Sequence, residues 1–255
     1  MKRVLTGAAL VPISAFVMLW APEWLFLVSM MAIAALCFQE YVALAAGYKL
    51  EVNQVAGYAF GFLLLTWNGS QGRVYLLAMM VALVLALYVS DLAISLPSAA
   101  GLFLGIAYVF GGWRSAIELH RVNPYWLVFA VTINWAGDTA AFYFGRRFGK
   151  RKLMMRVSPG KSWEGAYASL AASAIYGVAL LHWLLPSVSV QEGATISICA
   201  NIAGQVGDLA ESAMKRGAGV KDSGSLLPGH GGWLDRLDSS LFSMPVVYLW
   251  ISRGA

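Results

Sequence analysis

Charge is what this sequence has least of. Lys, Arg, Asp and Glu make up 12% of its 255 residues, against roughly 25% in an ordinary soluble chain, while 59% are hydrophobic and the mean hydropathy is +0.67. A water-soluble domain of this composition is excluded, because apolar runs of membrane-spanning length, about 20 residues each, recur along the chain. Cysteine is nearly absent too. Cys37 and Cys199 each lie inside an apolar run, which argues against a disulfide framework, and both read as small packing residues. With so few thiols and only His120, His182 and His230 as imidazoles, a zinc site lacks the ligands it prefers.

Further absences narrow the field. No small-x-small cleavage site follows the first apolar run, Val4 to Trp20, and Pro22-Glu23 leads directly into the next run. The run is therefore read as a retained span and not as a signal peptide. The chain has no internal repeat, no low-complexity tract and no long linker, so residues 1–255 are expected to form a single membrane-embedded domain. A secondary transporter would show corresponding repeats with interrupted helices and is disfavoured for that reason. A P-loop is excluded as well: the GKS at 160–162 would need a glycine at 155, where Met155 stands.

Spans are expected at about 4–20, 24–46, 54–68, 74–90, 96–113, 124–144, 166–185, 194–210 and 239–252. The fold class is therefore all-α, a polytopic integral membrane protein of about nine transmembrane helices. With the N-terminus inside, 14 of the 18 cations fall on the cytoplasmic side and only Arg73, Arg114, Arg121 and Arg253 fall outside, as the positive-inside rule requires. The two most charged loops, 145–165 and 211–238, share the cytoplasmic face and can build one site, so the stretch from about 124 to 252 is expected to carry the activity.

The richest stretch runs from Asp208 to Asp238. Its 31 residues hold Asp208, Glu211, Asp222, Asp235 and Asp238, the cations Lys215, Arg216, Lys221 and Arg236, and His230. Alternating cations and acids suit a polyphosphate held together with its neutralising metal. Glycines, Gly231 and Gly232 among them, let backbone N–H groups approach an anion. Asp235 and Asp238 are spaced i, i+3 at the expected start of the last span, where two carboxylates suit a hard cation, Mg²⁺ in preference to zinc. His230 sits in a glycine turn five residues before Asp235 and reads as a metal ligand, a base or a packing residue.

The other charged loop follows a helix in which Asn134 and Asp138 lie one turn apart on a common face, and an ionised Asp within a span points to a function or a specific partner. Arg146 could be such a partner. Beyond the basic run 146–156, which reads as a topology signal and a contact for lipid head groups, Ser158, Lys161 and Ser162 offer two hydroxyls and a cation ahead of a helix N-terminus that favours anions. Glu40 has a weaker claim, since its place in the second span suits the membrane surface.

These residues carry a resemblance. Ser212-Ala213-Met214-Lys215-Arg216, Lys221-Asp222-Ser223-Gly224, Leu227-Pro228-Gly229-His230-Gly231-Gly232 and Asp235-Arg236-Leu237-Asp238 resemble the signature of phosphatidate cytidylyltransferases, also called CDP-diacylglycerol synthases. The likeness extends to Lys2-Arg3-Val4, to Asp138-Thr139 with Phe142, and to residues 158–165; the stretch 50–125 matches only as apolar spans. Trp233 departs from the aliphatic residue usual there, a change in loop packing and not in polar groups.

The resemblance implies a nucleotidyltransferase that converts CTP and phosphatidate to CDP-diacylglycerol and pyrophosphate with Mg²⁺, alone or with a second cation. It would sit among the lipids of the bacterial inner membrane, with its active site cytoplasmic and no nucleic acid as partner; monomer and homodimer both stay open. On this reading Lys215, Arg216, Lys221, Asp222, His230, Asp235 and Arg236 are the candidate catalytic residues. Asp208, Asp222, Asp235 and Asp238 are the candidate metal ligands, and Asp138, Ser158, Lys161, Ser162, Gly231 and Gly232 bind substrate. The alternative nearest in chemistry is a CTP-dependent polyprenol- or phytol-type lipid kinase. A CDP-alcohol phosphotransferase is disfavoured because its DGxxAR run is absent.

Overall fold

The computed structural model describes residues 2–227, 229 and 231–254, so the expected role of His230 lies outside the described residues. Among these the chain forms ten α-helices: α1 (Lys2–Leu19), α2 (Glu23–Gly47), α3 (Gln54–Thr66), α4 (Gln71–Leu85), α5 (Ser95–Gly105), α6 (Gly111–Val122), α7 (Pro124–Phe148), α8 (Trp163–Leu184), α9 (Val190–Gly217) and α10 (Leu234–Ile251). A π-helical turn, Ile106–Phe110, joins α5 to α6. Two short strands, β1 (Lys152–Met154) and β2 (Ser158–Ser162), make an antiparallel hairpin between α7 and α8.

Local chemistry sets the helix starts. Asn53 accepts the Ala56 N–H at 2.9 Å ahead of α3, and Asn123 accepts the Tyr125 N–H at 3.0 Å ahead of α7, whose first residue is Pro124. Ser162 ends β2 and caps α8 by accepting the Gly165 N–H at 3.2 Å. A capping box opens α9, with Ser189 Oγ accepting the Glu192 N–H and Glu192 accepting the Ser189 N–H.

The all-α reading holds, and the protein is a helical membrane protein. By length and composition, four helical stretches among the described residues can cross a membrane: Glu23–Gly47, Gln71–Tyr88, Leu92–Val122 and Trp163–Leu184. The other expected spans correspond to helices that are shorter or more polar. Two boundaries move in ways that matter for the site. α9 continues to Gly217, so Glu211, Lys215 and Arg216 stand on a helix where a loop was expected from 211. The segment 145–165, also expected as a loop, is largely the end of α7 and the hairpin.

The chain forms two compact units. The first comprises Met1–Ile117 with Met214–Leu237. Its core is aromatic: Phe38 packs against Tyr58 and Phe110, with ring centroids 5.2 Å apart in each pair, and Phe110 lies on Gly61 so closely that a Cβ there would overlap the ring. Tyr48 at the end of α2 donates to the Met214 carbonyl at 2.9 Å, tying the returning segment to α2. The second unit comprises Glu118–Ala213 with Asp238–Ala255 and is built on the packing of α7 against α8. Buried polar groups join its helices. Asn134 donates to Ser243 Oγ at 2.9 Å, Ser169 donates to Asn201 Oδ1 at 3.1 Å, and Ser173 donates to the Ile133 carbonyl at 3.1 Å.

Candidate functional site

In the first unit, the end of α9, the segment after it and the start of α10 meet in one polar cluster. Lys215 Nζ lies 2.6 Å from Asp235 Oδ1, both buried. Asp235 Oδ2 accepts the backbone N–H groups of Ser223 at 2.9 Å and Gly232 at 2.8 Å. Burial alone would push the Asp235 carboxyl up; the Lys215 ammonium and the two N–H groups outweigh it and hold the group below the ordinary carboxylate value. The segment turns back on itself through a hydrogen bond from Leu227 N–H to the Gly231 carbonyl at 2.9 Å, with Gly229 and Gly231 both in the left-handed region that favours glycine. A side chain at Gly231 would press within 2.6 Å of Asp235 and meet Asp222. Lys221, Asp222 and Arg236 are exposed around this core, and Arg216 donates to the Val220 carbonyl at 3.1 Å.

Glu40, on α2, is the member that sequence reasoning undervalued. It is buried, 4% exposed, and accepts Ser223 Oγ–H at 2.8 Å, Leu234 N–H at 2.9 Å and Trp233 N–H at 3.0 Å. It also lies outside the 124–252 stretch expected to carry the activity. The signal that could have found it was the acid itself, alone in an otherwise apolar span.

The second unit holds a separate cluster. Lys161 Nζ, on β2, lies 2.5 Å from Asp208 Oδ2 on α9, and Ser212 donates to Asp208 Oδ1 at 3.3 Å. Asp138, exposed on α7, interacts electrostatically with both Asp208 and Lys161. Asn134, one turn before it, is buried and bonded to Ser243. Ser162 serves as the cap of α8, Ser158 pairs with Met154 across the hairpin, and Asp238 Oδ1 accepts the Ser239 N–H at 2.7 Å.

The carboxylates expected as metal ligands are therefore differently engaged. Asp208 and Asp235 each have both oxygens in hydrogen bonds, and the described residues contain no cluster of three His, Cys, Asp or Glu side chains able to cage an ion. Asp222 is exposed and has no hydrogen-bond or ion-pair partner among the described residues. One open carboxylate beside exposed cations fits Mg²⁺ that arrives on a polyphosphate, since Mg²⁺ is commonly held by one or two carboxylates and the substrate's own phosphates.

A helical membrane protein with acid–base clusters at its charged turns is the class that these features define. Residues 1–253 match the cytidylyltransferase family, and the chain belongs to it. Its relatives include proteins named phosphatidate cytidylyltransferase. One from Staphylococcus aureus (strain COL) is 37% identical over 160 residues, 63% of this chain and 62% of the relative. One from Staphylococcus saprophyticus is 38% identical over 172 residues, 68% of this chain and 66% of the relative. One from Haemophilus influenzae is 38% identical over 148 residues, 55% of this chain and 51% of the relative. The chain thus spans about three-fifths of the S. aureus relative and half of the H. influenzae one.

Proposed function

We propose that this protein is a phosphatidate cytidylyltransferase, joining CTP and phosphatidate to give CDP-diacylglycerol and pyrophosphate on the cytoplasmic face of a bacterial inner membrane. The observation that carries the reading is the reach of the family match, which runs over residues 1–253 and so takes in the acid–base segments 158–165 and 208–238. The names of the relatives supply the substrates.

The chemistry suits the residues. A phosphate oxygen of phosphatidate attacks the α-phosphorus of CTP, the bond from that phosphorus to the α–β bridging oxygen breaks, and pyrophosphate leaves. Two anions must be brought together, so positioning and charge neutralisation do most of the work. Lys221 and Arg236 are exposed, enter no ion pair among the described residues, and are assigned to the phosphates together with Arg216. The Gly231 and Gly232 turn brings backbone close to the anion. Asp235 orients Lys215, and Asp208 orients Lys161. A strong general base is not required, because a phosphate monoester has its second pKa near ~6. Asp222 would hold Mg²⁺, which supplies charge neutralisation for the departing pyrophosphate.

Label tracing tests the reading. With protein in detergent, phosphatidate, Mg²⁺ and CTP, label on the α-phosphate enters the lipid and label on the γ-phosphate does not. Added pyrophosphate drives the reaction backward, since one phosphoanhydride is exchanged for another. Transfer of γ-label to lipid, with CDP released, would identify a lipid kinase and overturn the assignment.

A further inference from the structure

We propose that Glu40 is a positioning residue that shapes the segment 223–235 and thereby sets Lys215 and Asp235 in place; the proposal rests on reading that segment as part of the transferase site. Glu40 stands on α2, and the groups it accepts are 183 to 194 positions further along the chain. It enters no ion pair among the described residues. Its charge is met by three donors and by the N-terminus of α10, since Trp233 N–H and Leu234 N–H are among the groups that the first helical turn leaves without a partner.

Two observations make Glu40 more than a buried acid that happens to be satisfied. Gly224 and Gly232 both press on its carboxylate: a Cβ at Gly224 would come within 2.5 Å of Oε1, and one at Gly232 would overlap Oε2. Those glycines are therefore required by Glu40. The second observation is a relay. Ser223 donates its hydroxyl to Glu40, its backbone N–H donates to Asp235 Oδ2, and its Oγ accepts the Asp235 N–H at 3.3 Å. Asp235 in turn holds Lys215. The hydrogen bonds of Glu40 among the described residues run to Ser223, Trp233 and Leu234, so it acts through Ser223 and the start of α10.

The test combines turnover with a reporter that needs none. In a chain whose Cys37 and Cys199 are replaced by alanine, Leu226→Cys reports on the segment and Gly160→Cys on the hairpin of the other unit. Glu40→Gln puts an N–H donor in place of one carboxylate oxygen, where one donor (Oε1) or two (Oε2) already converge. It should lower kcat roughly ten- to a hundred-fold, the scale of losing hydrogen bonds to a charged acceptor, and speed maleimide labelling at position 226 but not at 160. Adding Ser223→Ala should lower kcat little further, because both changes break one relay. Should Glu40→Gln fail to assemble, Ser223→Ala alone carries the same expectation of selective labelling at 226. Parental labelling at 226, or an equal rise at 160, overturns the proposal. If the parent makes no CDP-diacylglycerol, the functional reading fails while the labelling arm still decides the role of Glu40.

Discussion

Lys215 and Asp235 form a buried ion pair, Nζ to Oδ1 at 2.6 Å, with only 10% and 3% of their side chains exposed. They approach from two helices, the last turn of α9 and the first turn of α10, so the bond fixes where the intervening segment begins and ends. A buried pair of this kind contributes little net stability beyond a hydrophobic pair of the same shape, whereas removing one partner strands the other charge.

Neutralising both members should thus cost less than the two single changes added together. Asp235→Asn is expected to destabilise the protein by about 3 kcal/mol or more, and Lys215→Met/Asp235→Asn by less than the sum of the single changes. Thermal unfolding in detergent reads both quantities, and additive losses would show that the two side chains are energetically independent.

The same pair sets a pH dependence. The folded Asp235 carboxyl titrates below its ordinary value of 3.8, so its stabilising contribution is complete above that value and fades as pH falls through the lower folded one. The difference in melting temperature between the parent and Asp235→Asn should be constant from pH 7 to about 5 and close only under more acid conditions. A difference that closes between pH 6 and 5 would mean that the carboxyl is raised, not lowered.

Glycine substitutions should sort by what a methyl group meets. Gly232→Ala and Gly224→Ala drive a Cβ into Glu40 and are expected to abolish most turnover, while Gly160→Ala, with nothing within 4 Å, leaves it unchanged. Equal tolerance at 160 and 232 would remove the packing argument.

The sequence made the acid–base stretch 208–238 conspicuous because charge is rare in this chain, and a rare residue type carries information wherever it gathers. Lys215, Asp235 and the glycines around them were legible for that reason. Glu40 was not, since its meaning lies in donors more than 180 positions away, and no local pattern encodes a contact of that range. The hairpin was hidden by its brevity and by the arginines and lysines around it, which satisfy the positive-inside pattern whether or not the backbone pairs. The full length of α9 was hidden because the apolar pattern stops near residue 210 while the helix continues to Gly217. Asp208 illustrates a third limit: the charged stretch named it as a candidate ligand, yet its engagement with Lys161 depends on a strand that only the fold supplies.

Sidedness can be probed at positions that tolerate a side chain. Gly160 has open space around it and Ser225 is exposed, so Gly160→Cys and Ser225→Cys should both resist an impermeant thiol reagent in intact cells and react after the membrane is opened. Labelling of either from outside would place that segment on the wrong face for a cytoplasmic nucleotide.

Lys161 and Asp208 offer the sharpest separation between a scaffold pair and a pair that serves the substrate. The ammonium and carboxylate are 2.5 Å apart with 29% and 26% of the side chains exposed, so water and ligand both reach them. If the pair only holds β2 to α9, Lys161→Met and Asp208→Asn should reduce stability alike and leave KM for CTP unmoved. If Lys161 serves the phosphates and Asp208 orients it, Lys161→Met should raise KM for CTP about tenfold or more, the loss expected for one charge-assisted contact to phosphate. Asp208→Asn should have the smaller effect on KM, since it leaves the cation in place, and the double variant should resemble Lys161→Met alone. Glu192→Gln is the control, because among the described residues its carboxylate engages the Ser189 cap of α9 and its loss should leave both kcat and KM for CTP at parental values. We expect the second pattern. Equal and purely thermal losses at Lys161 and Asp208 would return the pair to the scaffold.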